Sequence, residues 1–200
     1  MKIVFVVNNK NNRLAKILPK LRQYCEQMNL ESAHFFSTTR KKHAIELAKQ
    51  ATENGCDYLV AVGGDGTLNE VVNGMFQSNL PVNEYPAIGL LPHGSANDFA
   101  RTAQISNSME DLTALIQSNT TQQIDLGKIV LEQTRETRYF INIAGVGLGP
   151  EVAQNIEQSS SVMGPGFNYF KHIILGFLRY RKKEVSCTSP TWQWKGKLLQ

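Results

Sequence analysis

A chain of 200 residues with 21 Lys+Arg against 17 Asp+Glu, 42% hydrophobic and 19% charged side chains, is an ordinary globular sequence, and collagen, disorder and a disulfide-stapled miniprotein are excluded. Its three cysteines (Cys25, Cys56, Cys187) are too widely spaced for a bridge framework or a CxxC metal signature, which suits a reducing cytoplasm. No apolar run approaches the roughly 18 residues of a spanning helix, and Ile3–Val7 is too short for a signal-peptide core, so neither secretion nor membrane insertion is expected.

Residues 2–8 read as a buried strand, and Leu14, Ile17, Leu18, Leu21, Tyr24 and Cys25 follow at helical spacing. Residues 32–37 are a weaker strand candidate, and Ala44, Leu47, Ala48 and Ala51 mark the next helix. A third strand, 57–62, enters Gly63-Gly64-Asp65-Gly66-Thr67 and then a helix through Gln77; a fourth, 87–91, runs into Pro92-His93-Gly94-Ser95-Ala96-Asn97-Asp98-Phe99. This alternation predicts an α/β fold, a mainly parallel sheet covered by helices on both faces. Near residue 120 the pattern changes. Residues 122–130 and 138–144 both read as strands with only a short segment between them, which predicts a hairpin. The expected division is therefore an α/β domain over 1–120 and a partial, antiparallel β-rich part over 121–200 that includes a Gly/Pro/Ser-rich stretch and one apolar helix.

Charge is polarised along the chain. Residues 171–200 hold seven basic side chains and one acid, a net of +6, while the first 170 hold 14 basic and 16 acidic side chains, a net of −2. Such asymmetry suggests an anionic partner, and nucleic acid, phosphate and an anionic lipid surface all qualify. The helix predicted over 168–181 carries Phe170, Ile173, Ile174, Phe177 and Leu178 on one stripe with Lys171, His172, Arg179 and Arg181 at its flanks and end. That stripe can pack on a β domain or lie at a membrane interface.

A strand that runs into closely spaced glycines and then a helix brings backbone amides and a helix N-terminus to one point, which suits a phosphate. Taken alone, Gly63-Gly64 marks a turn with Thr67 capping the helix. With Asp65 among the glycines the segment points to phosphate chemistry that uses Mg²⁺ or handles a hydroxyl proton. Asn69 and Glu70, on the following turn, are placed to orient ribose, metal or a neighbouring side chain. The segment is neither a Walker A loop nor a GxGxxG fingerprint. The second loop repeats the design: Gly94 and Ser95 offer a small turn with a hydroxyl, and Asn97 and Asp98 offer polar groups at a helix start, which by themselves read as an N-cap cluster. Parallel strands end on one edge, so both loops are expected to face one crevice. The histidines (His34, His43, His93, His172) show no metal spacing, and His93 is read as a loop residue beside that crevice.

Together, Gly63-Gly64-Asp65-Gly66-Thr67-Leu68-Asn69-Glu70-Val71-Val72-Asn73-Gly74, Asn97-Asp98-Phe99-Ala100-Arg101, and Ile124-Asp125-Leu126-Gly127 with Phe140-Ile141-Asn142-Ile143-Ala144-Gly145-Val146-Gly147 resemble the diacylglycerol-kinase catalytic-domain family, which includes bacterial lipid kinases and sphingosine kinases. The first motif is shared with NAD kinases and phosphofructokinases; the second and third point to the lipid-kinase branch. The resemblance implies an NAD kinase/diacylglycerol kinase-like nucleotide-binding domain followed by the start of an antiparallel β-sandwich. It implies ATP and Mg²⁺ as cofactors, and a lipid substrate at a membrane surface in place of nucleic acid. The expected location is cytoplasmic with peripheral membrane association. The nucleotide contacts it implies are Thr38, Gly63, Gly64, Asp65, Gly66, Thr67, Leu68, Asn69 and Ser95, with Asp65 catalytic and Asn8, Glu70, Asn97 and Asp98 as further candidates. The first strand usually ends in Asn-Pro in this family; here Asn8 is kept and Asn9 replaces the proline.

Two departures matter. Many relatives carry an aromatic residue and then an Asp for the lipid hydroxyl where this chain has Leu148 and Gly149. Relatives also continue beyond the position of Gln200, and the resemblance implies that the metal-binding loop and an acidic general base lie in that continuation. The expected activity is transfer of the γ-phosphoryl group of ATP to a lipid hydroxyl. The alternatives are a truncated, non-catalytic nucleotide-binding protein and a soluble-substrate kinase of the NAD kinase type. Strand edges left open by an incomplete β domain can also drive formation of a homodimer.

Overall fold

The computed structural model describes residues 1–9, 17–30, 32–145, 174–175 and 183–198. Leu14, Leu148, Gly149 and His172 lie outside them, as does the predicted helix over 168–181 apart from residues 174 and 175. Contacts divide the chain into two units, Met1–Asn142 and Ile143–Gln200.

In the first unit β1 (Ile3–Val7), β2 (Ala33–Ser37), β3 (Tyr58–Gly63) and β4 (Ala87–Pro92) form a parallel sheet in the order β2-β1-β3-β4. The intervening helices are α1 (Ile17–Gln27), α2 (His43–Glu53) and α3 (Asp65–Phe76); after β4 come the short α4 (Asp98–Thr102) and then α5 (Met109–Gln117). Every residue of β1 and β3 is buried, as a parallel sheet covered on both faces requires. Side-chain alternation sorts them into two cores. Ile3, Phe5, Val7, Val60 and Val62 pack with Leu21 and Cys25 of α1 and Leu112 and Ile116 of α5. On the opposite face Val4, Val6, Leu59 and Ala61 pack with Ala44, Ala48 and Ala51 of α2 and Leu68, Val71, Val72 and Met75 of α3. The predicted α/β architecture is the observed one. Helix α5 is an addition to the predicted elements, and Ser108 caps it by accepting the Asp111 amide at 3.1 Å.

The predicted hairpin is present but shorter than expected: β5 (Gly127–Val130) pairs antiparallel with β6 (Thr137–Phe140). Residues 122–125, expected to extend β5, are exposed and lie in no strand. The division between units falls after this hairpin, at 142/143, and not near residue 120. Its cause is on α3, where Asn73 binds the backbone of Tyr139 and Phe76 stacks on the Tyr139 ring with centroids 4.3 Å apart. In the second unit β7 (Lys183–Thr188) and β8 (Gln193–Leu198) form another antiparallel pair, with Cys187 opposite Trp194.

Helices α2 and α3 pack so closely that a Cβ on buried Gly74 would lie 2.2 Å from the Ile45 carbonyl oxygen and 2.7 Å from Ala48 Cβ. Alanine normally stabilises a helix interior by about 0.8–1 kcal/mol over glycine. At this position overpacking wins, and Gly74→Ala is expected to cost about 1–3 kcal/mol of stability in urea denaturation. A variant as stable as the wild type would show that Gly74 is not the α2–α3 contact.

Candidate functional site

The chain leaves β1 towards β2 on one side, while β3 lies on the other side of β1 and leads on to β4. Strands β1 and β3 therefore flank a topological switch point, and the loops at their carboxyl ends diverge to open a crevice. The strand ends around it are laced together. The Asn8 amide donates to Val62 O at 3.0 Å, and Asn8 Nδ2 donates to the Thr67 hydroxyl at 2.9 Å. Beside them, Thr38 continues the ladder by donating its amide to Val7 O, and its hydroxyl accepts the Asn9 amide at 3.0 Å. Thr38 is only 7% exposed, so its hydroxyl is fixed at the crevice by packing. Asn9 Oδ1 is buried there with no hydrogen-bond partner among the described residues. A buried lone acceptor is costly unless a donor arrives, so Asn9, notable in the sequence only for replacing a proline, joins the site.

The two glycine loops touch through bare backbone. A Cβ on Gly64 would lie 2.8 Å from Gly94 Cα, and one on Gly94 would lie 2.4 Å from Gly64 Cα. The His93 amide adds a 2.7 Å bond to Gly63 O, and a Cβ on Gly63 would strike the Thr67 hydroxyl at 2.4 Å. Asp65 then ties the second loop to the first: Oδ2 accepts the Asp98 amide at 3.0 Å and Oδ1 accepts the Phe99 amide at 2.9 Å. These are charge-assisted bonds to the first turn of α4. Asn97, in the left-handed region at φ 52°, closes the loop from within by accepting the Gly94 amide at 2.8 Å and donating to Gly94 O at 3.0 Å. Asp98 pairs with Arg101 on the exposed side, and Ser95 is exposed at the loop tip. Desolvation by its surroundings lowers the His93 imidazole below the usual histidine range, favouring the neutral ring.

Gly64 O is the first acceptor of α3, taking the Thr67 and Leu68 amides, so the amides of Asp65 and Gly66 stand ahead of the helical ladder at the positive end of the macrodipole. Gly66 differs from its neighbours. A Cβ there would meet nothing within 4 Å, and its backbone is not left-handed. The fold does not require glycine at 66; an incoming group that must approach the backbone would.

The predicted nucleotide contacts Gly63, Gly64, Asp65, Gly66, Thr67, Thr38 and Ser95, with Asn8, Asn97 and Asp98, all lie at the strand ends of this one sheet edge or on the first turns of α3 and α4, with Thr67 buried, its amide bonded to Gly64 O and its hydroxyl to Asn8. Leu68 departs from expectation: its side chain is 1% exposed in the core and its amide is used by Gly64. Asn69 departs too, because its Nδ2 donates to Tyr139 O at 3.1 Å and so is turned to the hairpin. Glu70, on the turn after the loop, is partly exposed. Among the described residues no group of three or more His, Cys, Asp or Glu side chains gathers as for a protein-held metal. Asp65 and Asp98 stand in adjacent loops, but each carboxylate already has a partner: Asp65 accepts the Asp98 and Phe99 amides, and Asp98 pairs with Arg101.

The model of the diacylglycerol kinase catalytic domain matches residues 2–129. A protein of Serratia proteamaculans named "Probable lipid kinase YegS-like" is 29% identical over 98% of this chain and 61% of its own length. A diacylglycerol kinase of Staphylococcus aureus (strain MRSA252) is 31% identical over 85% of this chain and 51% of its own. A solved structure of a diacylglycerol kinase from Bacillus anthracis superposes with a TM-score of 0.60 at 21% identity, over 98% of this chain and 61% of that one, and so shares the fold. The chain thus spans about half to three fifths of the length of these relatives.

The contrast between Gly64 and Gly66 is testable. Gly64→Ala must push the two loops apart, and is expected to lower both stability and ATP affinity. Gly66→Ala is expected to leave the urea midpoint unchanged or raised while weakening ATP binding at least about tenfold in calorimetric titration. Unchanged ATP binding in Gly66→Ala would remove the phosphate approach from this loop.

Proposed function

We propose that this chain, which belongs to the diacylglycerol kinase catalytic-domain family, is the nucleotide-binding part of an ATP-dependent lipid kinase that passes the γ-phosphoryl group to a lipid hydroxyl. The observation that carries the reading is the clasp of two glycine loops at the switch point of a parallel sheet, with Gly64 against Gly94 and Asp65 bonded to the second loop. Phosphoryl transfer calls mainly for positioning and charge stabilisation, and a clasp built from backbone supports the first of these. The amides ahead of α3, in the Gly63–Gly66 loop, would face the phosphates, with Gly66 leaving room for their approach. Thr38 and Asn9 would meet the nucleoside side, where the buried Asn9 oxygen accepts a hydroxyl or amino proton. Asp65 would act by holding Asp98 and Phe99, and through them Ser95, at the crevice. A Mg²⁺ carried on the phosphates would neutralise their charge.

In the transfer, the acceptor oxygen forms a bond to the γ-phosphorus while the bond from that phosphorus to the β–γ bridging oxygen breaks, leaving ADP. The acceptor's proton leaves to a base. A lipid as acceptor is supported by the Asn97-Asp98-Phe99-Ala100-Arg101 motif and by the +6 charge of residues 171–200, which would favour an anionic surface. No helix among the described residues is long and apolar enough to cross a membrane. Peripheral attachment at the cytoplasmic face is the location that this reading calls for.

The test is transfer of label from γ-labelled ATP to mixed vesicles of diacylglycerol, phosphatidylglycerol and sphingoid base, with NAD as the soluble competitor. Label in the lipid fraction, lost on Mg²⁺ chelation, is the expected outcome. Asp65→Ala is expected to reduce transfer by at least about 100-fold while circular dichroism shows the sheet and the helices other than the five-residue α4 retained. Label in NADP instead of lipid would overturn the lipid reading, and ATP binding without any transfer would leave this chain a nucleotide-binding protein.

A further inference from the structure

Asn73 lies at the far end of the glycine-loop motif, two turns beyond Gly66 on α3, and is 2% exposed. A buried primary amide has to satisfy two donors and an acceptor, or it costs more than a well-packed apolar side chain would. Here it is satisfied by one backbone residue of another element and one of its own. Its Oδ1 accepts the Tyr139 amide at 2.9 Å, and its Nδ2 donates to Tyr139 O at 2.8 Å. The side chain thus does for Tyr139 what a neighbouring strand would do, on the side of β6 where no strand pairs with it among the described residues. Nδ2 also donates to Asn69 O at 2.8 Å, and Asn69 Nδ2 reaches the same Tyr139 O at 3.1 Å. Tyr139 stacks its ring on Phe76, one turn further along the same helix.

Resting on the kinase reading above, we propose that Asn73 is a positioning residue for phosphoryl transfer. It locks β6, and the backbone that continues through Phe140, Ile141 and Asn142, to the helix whose first turn forms the phosphate loop. Helix α3 is a single rigid element with the phosphate loop at one end and this latch along its side. The segment that follows β6 is thereby held at a fixed distance from the phosphates. Among the described residues the side-chain bonds of Asn69 and Asn73 run to Tyr139 and to each other, and none runs to the loops around the crevice. Loss of the latch should therefore spare ATP binding and harm the step that needs both parts in register, where a misplacement of about 1 Å can cost about 100-fold in rate.

Two substitutions separate this role from simple support. Asn73→Leu keeps the branched outline, in a bulkier side chain, and removes every side-chain bond. Asn73→Asp keeps the acceptor for the Tyr139 amide but sets a second oxygen against Tyr139 O and Asn69 O. The ionised form repels both carbonyls, whereas the protonated form can donate to one of them. Lys49 and Glu136 line the adjoining cavity of ≈ 450 Å³ with Phe76 and Tyr139, and from β5 the Lys128 ammonium stands 6.0 Å over the Tyr139 ring, so among the described residues these three charges face the site. The expected result for Asn73→Leu is a kcat lowered about 100-fold with the KM for ATP within about twofold of wild type. For Asn73→Asp the ratio of its kcat to that of wild type should rise as the pH is lowered. Equal losses of kcat, ATP binding and folded fraction would make Asn73 a structural residue only, and an unchanged kcat in Asn73→Leu would overturn the proposal outright. Should the wild-type chain transfer no phosphate, the kinase reading fails, and hydrogen exchange decides the latch. Faster exchange of the Tyr139 amide in Asn73→Leu with ATP binding retained supports it, and an unchanged exchange rate rejects it.

Discussion

Everything at the crevice depends on the contact between Gly64 and Gly94, where neither residue has room for a Cβ. Two loops that follow adjacent parallel strands would ordinarily be held apart by their side chains. Removing both Cβ atoms lets the backbones meet, so polar main-chain groups from two strand ends converge on one small volume. That approach brings the Asp98 and Phe99 amides within reach of Asp65, and places His93 where its amide can bond Gly63 O. A site built from backbone is stiff, and stiffness is what the proposed transfer, dominated by positioning, would require. Its cost is that two neighbouring positions tolerate no substitution.

The glycine-loop motif is a composite of requirements that share only an address. Gly63 clears space for the Thr67 hydroxyl, Gly64 admits Gly94, and Gly74 admits the backbone of α2. Gly66 alone opens onto empty space. The polar residues divide in the same way: Asp65 serves the second loop, whereas Asn69 and Asn73 serve the hairpin. Only the start of the motif, up to Thr67, stands at the crevice. A pattern recognised as one unit in sequence is thus three structural devices and one open position, and each has a different expected response to mutation.

The sheet was legible because its strands obey a simple rule: buried on both faces, β1 and β3 read as unbroken apolar runs, and the apolar residues of α1 and α2 recur beside them at helical intervals. The loop chemistry was legible for a related reason, since glycine and small polar residues cluster where backbone must approach backbone or ligand. Partner choice was not legible. Leu68 and Asn69 sit inside the most informative motif of the chain, yet one faces the core and the other faces Tyr139, a residue about seventy positions away whose approach no local pattern announces. The same long-range bonds draw β5 and β6 into the first unit, although the change of pattern near residue 120 assigned them to the second.

Helix α4 shows how far one loop creates the other. It has five residues, too few to persist as a helix without outside help, because nucleation fixes several residues before a bond is returned. Its own N-cap, Asn97, is in the left-handed region and spends its side chain on Gly94, so it makes no side-chain cap. The amides at the start of the helix are instead taken by Asp65, thirty-three and thirty-four residues earlier in the chain. The second motif therefore does not fold locally and then meet the first. Its geometry is completed by a carboxylate that the first motif holds out, so Ser95 and Asp98 stand at the crevice only when β3 and β4 are already paired. In that sense the Asp between the glycines holds the second loop and shapes the crevice by the same two bonds, and under the proposed function it would act through the groups it positions.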